Sequence, residues 1–113
     1  MPFINTITNK KISADDRAFL KTELGKIIDL VPGKSEKFLM LAFREADMYF
    51  GGEDNFDMVC VEVALYGSYQ RKDYNYMTKS ISKLYSERLG IPADKIYIKY
   101  QDCFQWGWNG ENF

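Results

Sequence analysis

Two glycines, Gly33 and Gly90, stand 57 residues apart in a chain of 113, each behind an amphipathic run and each shortly before an apolar one. An internal repeat of half the chain length means two copies of one supersecondary unit, and that constrains the fold more than any other feature. In the first copy, Ser13-Ala14-Asp15-Asp16 has the form of a helix cap. Leu20, Leu24, Ile27, Ile28 and Val31 follow at helical spacing up to Pro32-Gly33. The run Phe38 to Phe43 is short, apolar and bounded by charge, which predicts a buried strand, and Gly51-Gly52 closes this half. In the second copy, Val59 to Tyr66 is β-branched and mostly apolar, and Gly67-Ser68 marks a turn. Met77, Ile81, Leu84, Tyr85 and Leu89 share one helical face, Gly90 ends the helix, and Ile96 to Tyr100 alternates as a strand. Subtracting the repeat length from a strand centred near Val61 lands on Ile4, so the first unit begins with a strand containing Phe3-Ile4-Asn5-Thr6-Ile7. The expected fold is α/β (α+β): two β-α-β units, one four-stranded sheet, both helices on one face, residues 1–113 forming one domain. The uncovered strand faces also read as apolar, which predicts a homo-oligomer that covers them.

Fifteen Lys and Arg against sixteen Asp and Glu leave a formal charge of −1, so nothing in the overall charge favours nucleic acid or an anionic membrane. The longest apolar stretch, Phe38 to Phe43, is far short of the ~20 residues that span a bilayer, and MPFINTITNKK lacks the apolar segment of a signal peptide. Cytoplasmic synthesis is the expectation. Cys60 and Cys103 form no Cys-x-x-Cys pair and the chain has no His, which argues against a zinc site or a redox dithiol. Both are read as reduced thiols, Cys60 in the core.

A proline directly follows Met1. If Met1 is removed, Pro2 carries a free secondary amine. An α-amine titrates nearer neutrality than a lysine, and burial beside a cation disfavours its charged form further, so such a nitrogen can act as a neutral base at pH 7. Taken alone, a proline in this place is far more often an accident of the start codon.

Several pieces coincide with Pro2: MPFINT at the start, Gly33-Lys34 after the first helix, and Phe50-Gly51-Gly52 before the second unit. Ile96-Tyr97-Ile98, Gly107-Trp108-Asn109-Gly110 and terminal Phe113 complete the series. In that order and spacing the whole chain resembles the macrophage migration inhibitory factor family of the tautomerase superfamily. The resemblance implies a homotrimer whose sheets form a barrel wrapped by helices, with active sites at subunit interfaces. It also implies keto-enol tautomerisation of arylpyruvates such as phenylpyruvate, and of dopachrome derivatives, without a cofactor or metal.

Carried over position by position, the resemblance makes Pro2 the general base. It makes Lys34 the cation that holds a substrate oxygen, stabilises the enolate and depresses the Pro2 pKa. Leu65 matches a position whose backbone N–H assists substrate binding. Phe38, Trp108 and Phe113 furnish an aromatic pocket, with Tyr97 lent by a neighbouring subunit, and Trp106 falls near the rim. Phe38 stands where a tyrosine is common. Lys99 stands where an asparagine is found at the far end of the pocket; it either favours substrates with a phenolate or second acid group or turns to solvent. Asp57-Met58-Val59-Cys60 replaces the family's Cys-x-x-Cys and lacks its first thiol. Two functional classes are consistent with these residues: a small-molecule isomerase, resting on Pro2 with Lys34, and a cytokine-like ligand of a cell-surface receptor, exported without a signal peptide, resting on the resemblance alone.

Overall fold

The computed structural model describes residues 1–113. Strand β1 (Pro2–Thr8), helix α1 (Ala14–Asp29) and strand β2 (Met40–Glu45) form the first unit; β3 (Val59–Tyr66), α2 (Arg71–Leu89) and β4 (Ile96–Cys103) form the second. The sheet order is β2-β1-β3-β4. Within each unit the strands are parallel, and the units meet through the antiparallel pair β1 and β3. The repeat holds to the residue: Phe3 lies opposite Met40, and Cys60 opposite Tyr97. Asn5 faces Glu62, its own counterpart 57 residues on, so this pair marks the pseudo-two-fold axis.

Both helices cover one face of the sheet. Leu20, Leu24 and Ile28 of α1 are fully buried, as are Met77, Ile81 and Tyr85, their repeat mates in α2. They close over Ile4, Val61, Val63 and Leu65 in one continuous core. Two threonines of β1 enter this apolar layer and both are satisfied: Thr6 shares a hydrogen bond with the Tyr85 hydroxyl, and Thr8 Oγ1 donates to the Met58 carbonyl at 2.7 Å. Burial pushes the Tyr85 hydroxyl up to about 12, so it stays protonated there.

The two units part company behind their first helices. Helix α2 runs through Leu89 into Gly90, whose left-handed φ of 70° ends it with a hydrogen bond to Ser86. Helix α1 stops three residues short of the matching place, because Pro32 has no N–H to extend it and disfavours helical geometry in the residue before it. The chain then turns through Gly33 at φ 72°. A single 3₁₀ turn over Glu36–Phe38 follows, with the Ser35 hydroxyl accepting from the Lys37 N–H at 3.1 Å. Phe38, expected as the start of a strand, therefore lies on that turn, and β2 begins only at Met40.

The face away from the helices is mixed rather than apolar. Between Phe3, Ile7 and Ala64 runs a polar row in which Asn5 donates to Glu62 at 3.0 Å and Lys99 pairs with Glu62 at 2.9 Å. Cys60 sits on this face, half-buried, because strand alternation sends the neighbouring valines to the core instead. A short hairpin of β5 (Gly107–Trp108) and β6 (Glu111–Asn112) ends the fold. Its Asn109-Gly110 turn has φ of 53° and 83°, the two positive values a two-residue hairpin of this hand requires. No helix is long and apolar enough to cross a membrane.

Candidate active site

The site is built where β1 begins. Pro2 is buried against β3 in register with Leu65, itself in the core, and the Tyr66 N–H donates to the Met1 carbonyl at 3.1 Å. The chain terminus is thus pinned to the end of β3. Lys34 arrives from the irregular stretch behind α1. Its Nζ donates to the Tyr66 carbonyl at 2.8 Å and lies 5.9 Å from the Tyr66 ring and 5.4 Å from the Tyr69 ring. Tyr69 also braces the segment that carries Lys34, donating its hydroxyl to the Pro32 carbonyl at 3.0 Å. A carbonyl and two aromatic faces thus hold the Lys34 ammonium beside the terminus.

The consequence is electrostatic. Burial first, then the charge of Lys34 and a hydrogen bond with it, lower the terminal amine of Met1 from 8.0 to about 6. The Met1 amine is therefore mostly neutral at pH 7.

A cleft of about 640 Å³ opens over Met1 and Pro2, walled by Phe38, Met40, Trp106 and Trp108. The Trp108 ring meets Phe38 edge-on at 5.8 Å and Phe113 at 6.4 Å, and Phe113 leans on Tyr66 at 5.5 Å. The 3₁₀ turn, the C-terminal hairpin and the end of β3 thereby form one aromatic wall. Lys37 is the single charged side chain lining the cleft, and no carboxylate lines it.

Of the residues singled out in the sequence, the fold brings Pro2, Lys34, Leu65, Phe38, Trp108 and Phe113 to one end of the sheet. It does not bring Tyr97 or Lys99 there within one chain. Both point from β4 onto the open face, where Tyr97 packs on Phe50 at 5.3 Å and Lys99 is held by Glu62, whose carboxyl falls below its ordinary range chiefly through that hydrogen bond. A second groove, of about 480 Å³, runs between the helices past Phe19, Leu30, Tyr76 and Leu84. Two of its cations are already engaged, Lys26 by Glu23 and Arg88 by Asp16.

Periodicity alone does not reveal Tyr66, Tyr69 or Lys37. Tyr66 reads as the end of a strand, and Tyr69 and Lys37 as turn residues. The hairpin that carries Trp108 has a sequence signal that was not read as one, the Asn109-Gly110 pair at its turn. No cluster of three or more His, Cys, Asp or Glu is arranged to hold a metal ion.

The comparisons agree with this architecture. The family model for macrophage migration inhibitory factor (MIF) matches residues 1–113, and the chain belongs to that family, within the tautomerase superfamily. The macrophage migration inhibitory factor homolog of Brugia malayi is 28% identical over 116 residues, spanning 100% of this chain and 99% of its own length. Macrophage migration inhibitory factor of Xenopus laevis is 29% identical over 99 residues, spanning 83% and 84%. The crystal structure of Leishmania major MIF2 superposes with a TM-score of 0.91 at 34% identity, covering 100% of this chain and 97% of that one.

Proposed function

We propose that the protein is a keto-enol tautomerase of arylpyruvates of the phenylpyruvate type, accepting dopachrome derivatives as a second class, with Pro2 as the general base after Met1 is removed. The observation that carries this reading is the amine environment: burial and Lys34 hold the Met1 amine, one residue before Pro2, down to about 6, at the floor of an aromatic cleft without carboxylates. In the chain that keeps Met1, the Pro2 nitrogen is an amide and has no basic lone pair. Once exposed, it removes a proton from the carbon next to the substrate carbonyl and holds that proton. The enolate oxygen, stabilised by the charge of Lys34, takes a proton from solvent. The amine then releases its proton to solvent and is neutral again; in ketonisation the same steps run backwards, the protonated amine delivering its proton to carbon. Leu65 contributes a backbone position beside Pro2, and Phe38, Trp108 and Phe113 seat the aryl ring.

The assembly we propose is a homotrimer, with the open faces turned toward one another and Tyr97 and Lys99 reaching a neighbour's cleft. Tyr97 is 62% exposed and Met40, on an edge strand, 67%, both large residues to leave in water.

The test is kcat/KM for phenylpyruvate across pH 5 to 9 on protein of verified intact mass, alongside sedimentation. Activity should rise with pH through a midpoint below 8.0. A chain retaining Met1 should lose the general-base contribution, about 10²–10⁴-fold. Undiminished activity in that chain would show that Pro2 is not the base.

A further inference from the structure

We propose that Lys37 makes the cleft selective for aryl keto acids that carry a second anionic group on the ring, a class that includes carboxyphenylpyruvates. This inference rests on the arylpyruvate reading of the site and adds the specificity that reading lacks.

Three observations place an available cation at the cleft. Lys37 lines it, and its Nζ lies 5.5 Å from the centroid of the Phe38 ring, the ring that meets Trp108 in the aromatic wall. Its backbone is fixed by the Ser35 cap, so the side chain leaves the turn from a defined point. Nearby acids are turned elsewhere: the Glu36 carboxylate lies against Gly25 of α1, in the space a Cβ there would need, and Asp29 accepts the Glu36 N–H at 2.7 Å. Lys37 makes no ion pair, whereas Lys99 is held by Glu62 and Lys34 is bound to the Tyr66 carbonyl.

An arylpyruvate has one carboxylate for Lys34 at the proline end. Its ring, laid along Phe38 and Trp108, directs a ring substituent toward Lys37. A neutral ring leaves that ammonium to water. An anionic substituent pairs with it on an aromatic wall that excludes part of the competing solvent, which strengthens a charge-assisted hydrogen bond. A surface lysine without this role would not distinguish the two ligands.

The experiment pairs turnover with binding. The kcat/KM ratio of 4-carboxyphenylpyruvate to phenylpyruvate is measured for the wild type, Lys37→Gln, Lys37→Arg and Lys99→Asn. Dissociation constants for the non-ketonised pair 4-carboxycinnamate and cinnamate are read from the NMR shift of the Trp108 indole. The wild type should favour the diacid about tenfold in both readouts, an energy of about 1.4 kcal/mol. The preference should vanish in Lys37→Gln, survive in Lys37→Arg and weaken as ionic strength rises toward 1 M. Equal affinity for both cinnamates in the wild type, an unchanged ratio in Lys37→Gln, or a preference abolished by Lys99→Asn instead would overturn the proposal. Discrimination between the cinnamates without turnover of either keto acid would sustain Lys37 as an anion-selecting residue while overturning the tautomerase reading.

Discussion

The two β-α-β units share a frame and differ in what stands at its end. Repeat mates agree where the core is made: Leu20 with Met77, Leu24 with Ile81 and Ile28 with Tyr85 are buried alike. They disagree at the site. The mate of Pro2 is Val59 and the mate of Lys34 is Ile91, both buried in the core. The mate of Phe38 is Lys95, which lies 4.9 Å and 4.8 Å from the rings of Phe50 and Phe56 and pairs with Asp94. The same frame thus encloses a cleft with an unpaired lysine at one end, and at the other buried core beside a lysine already paired with Asp94. What separates them is a proline that stops α1 early, leaving Lys34 on irregular chain, and Pro2 in place of Val59 at the start of the first strand.

The difference can be broken from the side of the second unit. Ile91→Lys places an ammonium where Ile91 is fully buried. No early helix stop frees the residue to reach a carbonyl and aromatic faces as Lys34 does. An uncompensated buried charge costs about 3–5 kcal/mol, so urea unfolding should show a large loss of stability with the slope of the transition kept. A variant as stable as the wild type would mean that the second unit also accommodates a cation at the position matching Lys34, and that the asymmetry is one of sequence alone.

The reciprocal change, Lys34→Ile, gives the first unit the residue of the second. Lys34 is only half-buried, so the fold should persist. The terminal amine should lose its second and third causes of depression and keep burial alone, and its pKa should rise from about 6 toward 8.0. In the chain freed of Met1, where Pro2 carries the amine, a base acts unprotonated, so kcat/KM should fall more at pH 6.5 than at pH 8.5. Stability moves by the same linkage: a depressed amine binds fewer protons folded than unfolded. Its contribution is therefore complete above pH 8 and lost as pH falls through 6, and Lys34→Ile should flatten that slope. A pH profile that drops without shifting would assign Lys34 to substrate binding alone.

Legibility follows the same division. The repeat, the helix faces and the sheet were readable because burial imposes periods on Leu20 to Ile28 and Met77 to Tyr85, and the structure bears out the β-α-β architecture. Phe38 misled as the start of a strand because an apolar run does not show that the Ser35 cap closes a turn beneath it. The open face read as apolar because Asn5, Glu62 and Lys99 lie far apart in sequence and meet only through the strand register. Cys60 was placed in the core on composition, yet alternation sends it outward. Pro2 and Lys34 were legible through the family resemblance; Tyr66, Tyr69 and Lys37 were not, since a tyrosine or lysine in a turn has no pattern until the partner is known.

The smallest expected effect concerns the brace that holds Lys34 outside the core. Tyr69 contributes a ring beneath the ammonium and a hydroxyl that donates to Pro32, at the bend that has no counterpart in the second unit. Tyr69→Phe keeps the ring and removes only the hydrogen bond, worth about 0.5–1.5 kcal/mol and less where water can replace it. The terminal amine, followed in ¹⁵N-labelled protein, should titrate slightly higher than in the wild type and well below Lys34→Ile. Tyr69→Ala removes the ring as well and should fall between the two, because the Tyr66 carbonyl still holds Nζ while one aromatic face is gone. This order separates positioning from charge: the brace decides how closely the cation sits, and the cation supplies the part of the depression that burial does not. If Tyr69→Phe shifted the amine as far as Lys34→Ile does, the bend at Pro32 would be held by that single hydroxyl, and the early end of α1 would not be enough to set the first unit apart.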